Sequence, residues 1–139
     1  MKIYFAASIR GGRQDAEIYA KLVEHLKNYG EVLTEHVGDN TLTEMGQDAP
    51  AKIIFQRDYD WVKEADVIVA EVSTPSLGVG YELGKTEEWK KPNLCLYSCE
   101  SRRLSPMISG NKFFKTKRYA SLEEAIILID EFFTELNAK

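Results

Sequence analysis

Asp66-Val67-Ile68-Val69-Ala70-Glu71 runs through Val72 into Ser73-Thr74-Pro75-Ser76-Leu77-Gly78-Val79-Gly80-Tyr81-Glu82-Leu83-Gly84. The first half decides the fold. Val67 to Ala70 are apolar without interruption, and Val67, Ile68 and Val69 are β-branched. A strand of this kind is buried on both faces, as happens where helices cover both sides of a parallel sheet. The second half is the exit from that strand. Ser, Thr and Pro mark a turn, and a helix is expected from about Gly80 or Tyr81 to just before Pro92.

The same alternation of strand and helix recurs on both sides. Upstream, Ile3 to Ala6 reads as the first strand. Asp15 to Tyr29 reads as a helix, with Ile18, Leu22, Val23 and Leu26 on one face and Gly30 as its stop. Val32 and Leu33 make a short second strand, and a helix runs from about Ala51 to Ala65. Between these two, residues 36 to 49 show no period and are rich in Gly, Asp, Asn and Thr, which is expected of a lid-like loop over a site. Downstream, Leu94 to Tyr97 is the fourth strand and Phe113 to Tyr119 contains the fifth. Ser121 and Glu124 form a capping box that opens a last helix through Leu136. This order implies one α/β domain over residues 1–139: a three-layer, five-stranded parallel sheet, doubly wound in the flavodoxin-like manner.

Composition narrows the function. A chain of 139 residues can bury roughly 70% of its unfolded surface, enough for a core without staples. The net charge of −4 argues against a protein that grips long nucleic acid, yet leaves room for a local anion site. Cys95 and Cys99 have no matching Cys/His cluster, so they read as structural thiols in a reducing compartment, and no metal is expected. The N-terminus begins directly on a strand, with no signal peptide and no membrane-length apolar run. A cytoplasmic protein is expected, with a nuclear address left open.

In open α/β sheets, ligands bind beyond the carboxyl ends of the strands, so two loops matter most. Ala7-Ser8-Ile9-Arg10-Gly11-Gly12-Arg13 follows the first strand. Its glycines let backbone N–H groups approach an anion, Ser8 offers a hydroxyl, and Arg10 can pair with a phosphate through two N–H groups. An ordinary solvated turn would look similar. In the other loop, Ser76 could hold the same phosphate, and Glu82 would stand in the first turn of the helix. There it could equally be a dipole-complementing residue or an i,i+3 partner of Lys85. Asp58 is the sharper local clue. Ile54, Asp58, Trp61 and Ala65 follow steps of four, three and four, which puts a carboxylate on an apolar stripe.

Two carboxylates near one pocket are the basic equipment for glycoside cleavage: one attacks the anomeric carbon, the other handles the proton of the leaving group. Tyr4, on the first strand, could orient the nucleophile or simply fill the core. His25 reads as solvated, and His36 as a residue at the pocket's border. Lys112, Lys115, Lys117 and Arg118 read as a solvated edge strand.

The combination resembles the 2'-deoxynucleoside 5'-monophosphate N-glycosidases of the Rcl type, in the nucleoside deoxyribosyltransferase superfamily. The matching pieces are Tyr4-Phe5 with Ser8-Ile9-Arg10-Gly11-Gly12-Arg13, Leu33-Thr34-Glu35-His36-Val37, Asp58 with Trp61 and Ala65-Asp66-Val67, and Val69-Ala70-Glu71-Val72. The longest runs from Pro75 to Gly84. They occur in family order over nearly the whole chain.

The resemblance implies retaining hydrolysis to free base and deoxyribose 5-phosphate, without a cofactor. Glu82 would be the nucleophile, Asp58 would assist proton transfer to the base, and Tyr4 would stand beside the nucleophile. Ser8, Ile9, Arg10, Gly11 and Ser76 match positions around the 5'-phosphate, and Gly78 lies among the substrate-binding positions. Ser105 and Met107 match a segment that reaches the neighbouring subunit's site, so a homodimer is implied. The chain departs from the pattern at Ala7, at Phe55-Gln56-Arg57 beside Asp58, and at Pro106. These changes bear on pocket shape and base preference. Rival readings are a deoxyribosyltransferase, a CMP-type ribonucleotide hydrolase, and a non-catalytic nucleotide-binding regulator. A regulator would be signalled by loss of the carboxylates, and both are present. The base itself stays open between a purine such as that of dGMP and a modified pyrimidine such as that of 5-hydroxymethyl-dUMP.

Overall fold

The computed structural model describes residues 1–8, 13–33, 50–101 and 103–139, the side chains of residues 13 and 14 excepted. The expected loop over residues 36 to 49, with His36, and the phosphate candidates Ile9, Arg10 and Gly11 lie outside the described residues.

Five strands form one parallel sheet in the order β2-β1-β3-β4-β5. They are β1 (Lys2–Ala7), β2 (Glu31–Val32), β3 (Val67–Glu71), β4 (Asn93–Ser98) and β5 (Thr116–Tyr119). All four pairings are parallel, including Tyr4 with Ile68 and Ala70 with Cys95. The helices are α1 (Arg13–Leu26), α2 (Ala51–Glu64), α3 (Leu77–Glu88), the short α4 (Pro106–Ser109) and α5 (Leu122–Asn137). The doubly wound expectation is met. The sequence reading had placed no helix at α4.

Alternation along the strands sorts the core into two layers. Ile3, Phe5, Val67, Val69, Leu94 and Leu96 pack with α1 and α5. Tyr4, Ala6, Ile68, Ala70 and Cys95 face the other way, with Val62 of α2 and with Val79 and Leu83 of α3. Every residue of β3 is buried, as its unbroken apolar run requires. Each large apolar side chain removed from water in this way contributes roughly 1.5–3 kcal/mol. The Cys95 thiol is fully enclosed, and burial pushes it up to about 12, so it is an inert packing group.

Local chemistry sets several boundaries. The Ser121 hydroxyl accepts the Glu124 N–H at 3.2 Å and starts α5. Helix α1 ends at Leu26 rather than Tyr29, and at Gly30 a Cβ would lie 2.1 Å from the Met1 carbonyl oxygen, so the close approach of two backbones requires glycine there. The largest correction concerns α3, which begins at Leu77 rather than near Gly80. Ser76 is its N-cap, its hydroxyl accepting the Val79 N–H at 3.2 Å. A side-chain cap outweighs the weak helix propensity of Gly78 and Gly80. Glu82 therefore stands in the second turn of α3, not the first.

His25 is not a solvated residue: it is half-buried between α1 and α5, with Nε2 2.7 Å from Asp130 Oδ1. The basic segment near β5 does lie on an edge strand, and Lys115 pairs there with Glu135. Among the described residues, no helix is long and apolar enough to cross a membrane.

A candidate active site between two helices

The site lies on the α2/α3 side of the sheet. Tyr4 reaches it because β1 alternates: Phe5 points into the α1/α5 layer and Tyr4 into the other. The Tyr4 hydroxyl donates to the Glu82 carboxylate, a contact between residues 78 positions apart in the chain. The anticipated Glu82–Lys85 pair is not formed, since Lys85 pairs with Glu88 at 2.8 Å instead. Glu82 is thus left for the interior.

Asp58 and Glu82 line the same small cavity, about 160 Å3, between α2 and α3. Asp58 is half-buried rather than enclosed. The expected stripe holds only in part, since Val62 is the buried residue within α2 and Ile54, Asp58 and Trp61 lie at its flank. The helix packs through a face rotated toward Val62. Arg57 folds back onto Asp58. Its Nε and Nη2 donate to Asp58 Oδ1 at 3.0 and 2.9 Å, and its guanidinium sits 4.8 Å from the Trp61 ring centre. An exposed arginine would not hold this geometry well, but stacking on indole restricts it.

Burial raises the Glu82 carboxyl to about 7. The Tyr4 hydrogen bond pulls it down and the charge of Asp58 pushes it further up. A carboxylate poised near neutrality beside a second carboxylate is suited to nucleophilic or acid–base work on a glycosidic bond. Burial also raises the Tyr4 phenol far above its ordinary value, with Glu82 and Asp58 adding to the effect, so Tyr4 keeps its proton and acts as a donor.

The other sequence candidates divide into two groups. Ser8 is buried at the carboxyl end of β1, and Gly78 lines the Glu82 cavity. Ser76 lines a second cleft of about 390 Å3 on the opposite flank of α3, together with Ser105 and Met107. Glu82 does not line that cleft, so on one chain Ser105 and Met107 are not brought to the nucleophile candidate. The Ser105 hydroxyl accepts the Met107 N–H at 3.2 Å, while Met107 is 79% exposed and Leu77, across the cleft, is 97% exposed.

Two groups of residues escaped the sequence reading. The first is most of the wall of the Glu82 cavity: Tyr59 from α2, Tyr81 and Lys85 from α3 and Trp89 at its C-cap, beside Phe55, whose departure from the family pattern was already noted. Their i,i+4 spacing on each helix was the available signal. The second is a closed network beneath the loop after β3. Glu71 accepts the Ser73 N–H at 2.7 Å, the Ser73 hydroxyl at 2.8 Å, and the Tyr119 hydroxyl. Ser73 Oγ in turn accepts the Ser98 N–H at 2.7 Å. This network ties the loop that carries Ser76 to β4 and β5. Among the described residues, no three His, Cys, Asp or Glu side chains gather closely enough to hold a metal ion.

Comparison with known proteins places this geometry in context. Residues 3–129 match the model of the nucleoside 2-deoxyribosyltransferase family. A protein of Esox lucius named 5-hydroxymethyl-dUMP N-hydrolase is 46% identical over 144 residues, covering 99% of either chain. A protein of the same name from Rattus norvegicus is 46% identical over 137 residues, covering 94% of this chain and 83% of its own. Among solved structures, the CMP N-glycosidase BcmB of Clostridium botulinum superposes with a TM-score of 0.71 at 19% identity, covering 95% of this chain and 99% of its own. At that identity the likeness speaks for the fold alone.

Proposed function

Because the chain belongs to the nucleoside 2-deoxyribosyltransferase family, we propose that it is a hydrolase that cleaves the N-glycosidic bond of 2'-deoxynucleoside 5'-monophosphates. The products are the free base and deoxyribose 5-phosphate. The reading draws on relatives named as N-hydrolases of such a nucleotide. One observation carries the chemistry: the Glu82 carboxylate, held by Tyr4, shares a cavity with Asp58.

Glu82 attacks C1' of the deoxyribose while the C1'–N bond breaks, its electron pair leaving with the base. A proton delivered by way of Asp58 neutralises that base. The lack of a 2'-hydroxyl eases the oxocarbenium-like transition state, and the adjacent carboxylates stabilise its charge. Water then attacks C1' of the glycosyl ester. It loses a proton to Asp58, the C1'–O bond to Glu82 breaks, and the enzyme is regenerated. Tyr4 holds one carboxylate oxygen in place throughout.

Ser8, Ile9, Arg10, Gly11 and Ser76 bind the 5'-phosphate, where remote binding energy serves to orient the sugar. Gly78 lets the substrate pass close to the start of α3. The enzyme acts as a homodimer in which Ser105 and Met107 complete the neighbouring site. The exposure of Met107 and Leu77 along one uncovered cleft supports this arrangement.

Base release from a panel of nucleoside monophosphates, with and without an added acceptor base, tests the proposal directly. Deoxynucleotides alone are expected to be cleaved, without transfer to the acceptor, and Glu82→Ala is expected to abolish release. Binding without cleavage of any nucleotide would turn the protein into a regulator and overturn the role of Glu82.

A further inference from the structure

The cavity that holds the two carboxylates is walled by aromatic rings that the mechanism above does not use. Phe55 and Tyr59 stand 5.4 Å apart on α2, Tyr59 meets Trp89 edge-on at 5.3 Å, and Phe55 reaches Tyr81 at 6.1 Å. Phe55 and Tyr81 are each 49% exposed, so their rings are open to a planar partner. Lys85 stands over three of these rings, with its ammonium 5.7 Å from Tyr59, 5.9 Å from Tyr81 and 5.7 Å from Trp89. Glu88 takes one of its three N–H donors. The ring faces hold the charge in place by cation–π attraction, and the remaining donors have no protein acceptor among the described residues.

Size limits what can enter. Pockets that engulf a drug-sized ligand start at about 300 Å3. This cavity has about 160 Å3. It can take one ring of a nucleotide, not the sugar and phosphate as well. Since Glu82 and Asp58 form part of its lining, the ring that enters is the one attached to the carbon under attack.

Resting on the hydrolase reading above, we propose that this cavity is the nucleobase subsite: Phe55, Tyr59 and Tyr81 stack on the base, and Lys85 selects a single-ring base that carries a carbonyl oxygen where cytosine has its amino group. An ammonium donates and cannot accept, so a carbonyl edge is favoured over an amino edge. The departure at Phe55-Gln56-Arg57 then has a function, because it supplies one of the stacking walls.

The test compares wild type with Phe55→Ala, Tyr59→Leu, Lys85→Met and Lys85→Arg. Steady-state base release is measured on dUMP, dCMP, dGMP and dAMP. Loss of a stacking ring is expected to raise KM about tenfold with a smaller change in kcat. Lys85→Met is expected to lower the preference for dUMP over dCMP about tenfold, with partial rescue by Lys85→Arg. Phe55 is half-exposed, so its truncation leaves the core intact. KM values and base ratios within twofold of wild type in all variants would overturn the subsite while leaving the role of Glu82 standing. If wild type releases no base at all, the hydrolase reading fails on its own. Titration calorimetry of dUMP into Glu82→Gln and into Glu82→Gln/Phe55→Ala then decides the subsite. Weaker binding without Phe55 supports it, and equal binding overturns it.

Discussion

Two glutamates in this fold each accept a hydrogen bond from a strand tyrosine, and they sit in different surroundings. Glu71, at the end of β3, is 2% exposed and accepts from Tyr119, from the Ser73 hydroxyl and from the Ser73 N–H. Glu82, on α3, accepts from Tyr4 and, among the described residues, from no second side chain. It also faces Asp58 and opens onto a cavity. Burial raises both carboxyls. For Glu71, three donors oppose that rise and occupy its lone pairs, although Asp15 reinforces it and Glu71 also lines a cavity. For Glu82, one donor opposes it and a second carboxylate reinforces it. Burial alone therefore does not make a carboxylate reactive. Unfilled acceptor capacity, more than a pocket or a neighbouring carboxylate, sets the proposed nucleophile apart from the structural anchor.

The sharpest way to break the comparison is to exchange charge for amide at both positions. Glu82→Gln is expected to lower turnover on the order of 10³-fold or more, without loss of folded protein. Glu71→Gln is expected to cost about 2 kcal/mol of stability in urea titrations, because one of two acceptor oxygens becomes an NH2 facing buried donors, with a much smaller effect on kcat. If Glu71→Gln abolished turnover in a fully stable protein, the two sites could not be separated this way.

Asp58→Asn is next in size. It is expected to reduce kcat about 10²-fold, measured as base release under saturating substrate. Poor leaving groups should suffer more than good ones. The tyrosines follow. Tyr4→Phe removes the donor that lowers the Glu82 pKa, so kcat is expected to fall about tenfold and the acid limb of the pH profile to move to higher pH. Tyr119→Phe, on the structural side, is expected to leave that profile in place and cost about 1 kcal/mol of stability.

The remaining effects are pH-linked. In the proposed mechanism Glu82 attacks as a carboxylate, so kcat/KM of wild type should drop tenfold per unit below about 7 and level off above it. The stability contribution has the opposite direction. The folded-state value of about 7 lies above the ordinary 4.5, so proton binding favours the folded state. Glu82 therefore imposes no penalty below about 4.5, a growing one from there to 7, and its full penalty above 7. The stability of Glu82→Gln relative to wild type should increase by about 2 kcal/mol between pH 5 and pH 8. A pH-independent difference would place the titrating group elsewhere.

The parts legible in the sequence were those with local causes. The buried run at β3, the Ser121 cap and the helix–strand alternation were all readable, because periodicity and capping act within one or two turns. The start of α3 was misread because two glycines obscured a serine cap. The stripe through Asp58 was legible from its spacing: Ile54, Asp58 and Trp61 are half-buried, and burial is deepest at the neighbouring Val62 and Ala65. The aromatic wall left a signal in its i,i+4 spacing, yet nothing local says that Phe55–Tyr59 on α2 and Tyr81–Trp89 on α3 face one cavity.

What the sequence by itself determined is the order of the elements and, through it, a parallel sheet covered by helices on both faces. Each strand and helix follows from hydrophobic spacing and end signals that neighbouring residues supply. What only the tertiary structure decided is which carboxylate meets which tyrosine. Tyr4 and Glu82 are 78 residues apart, and Glu71 and Tyr119 are 48 apart. Those pairings depend on the strand order β2-β1-β3-β4-β5 and on which face each strand residue takes. The desolvation that raises Glu82 comes from layers closing over it, and that energy exists only once the chain has folded.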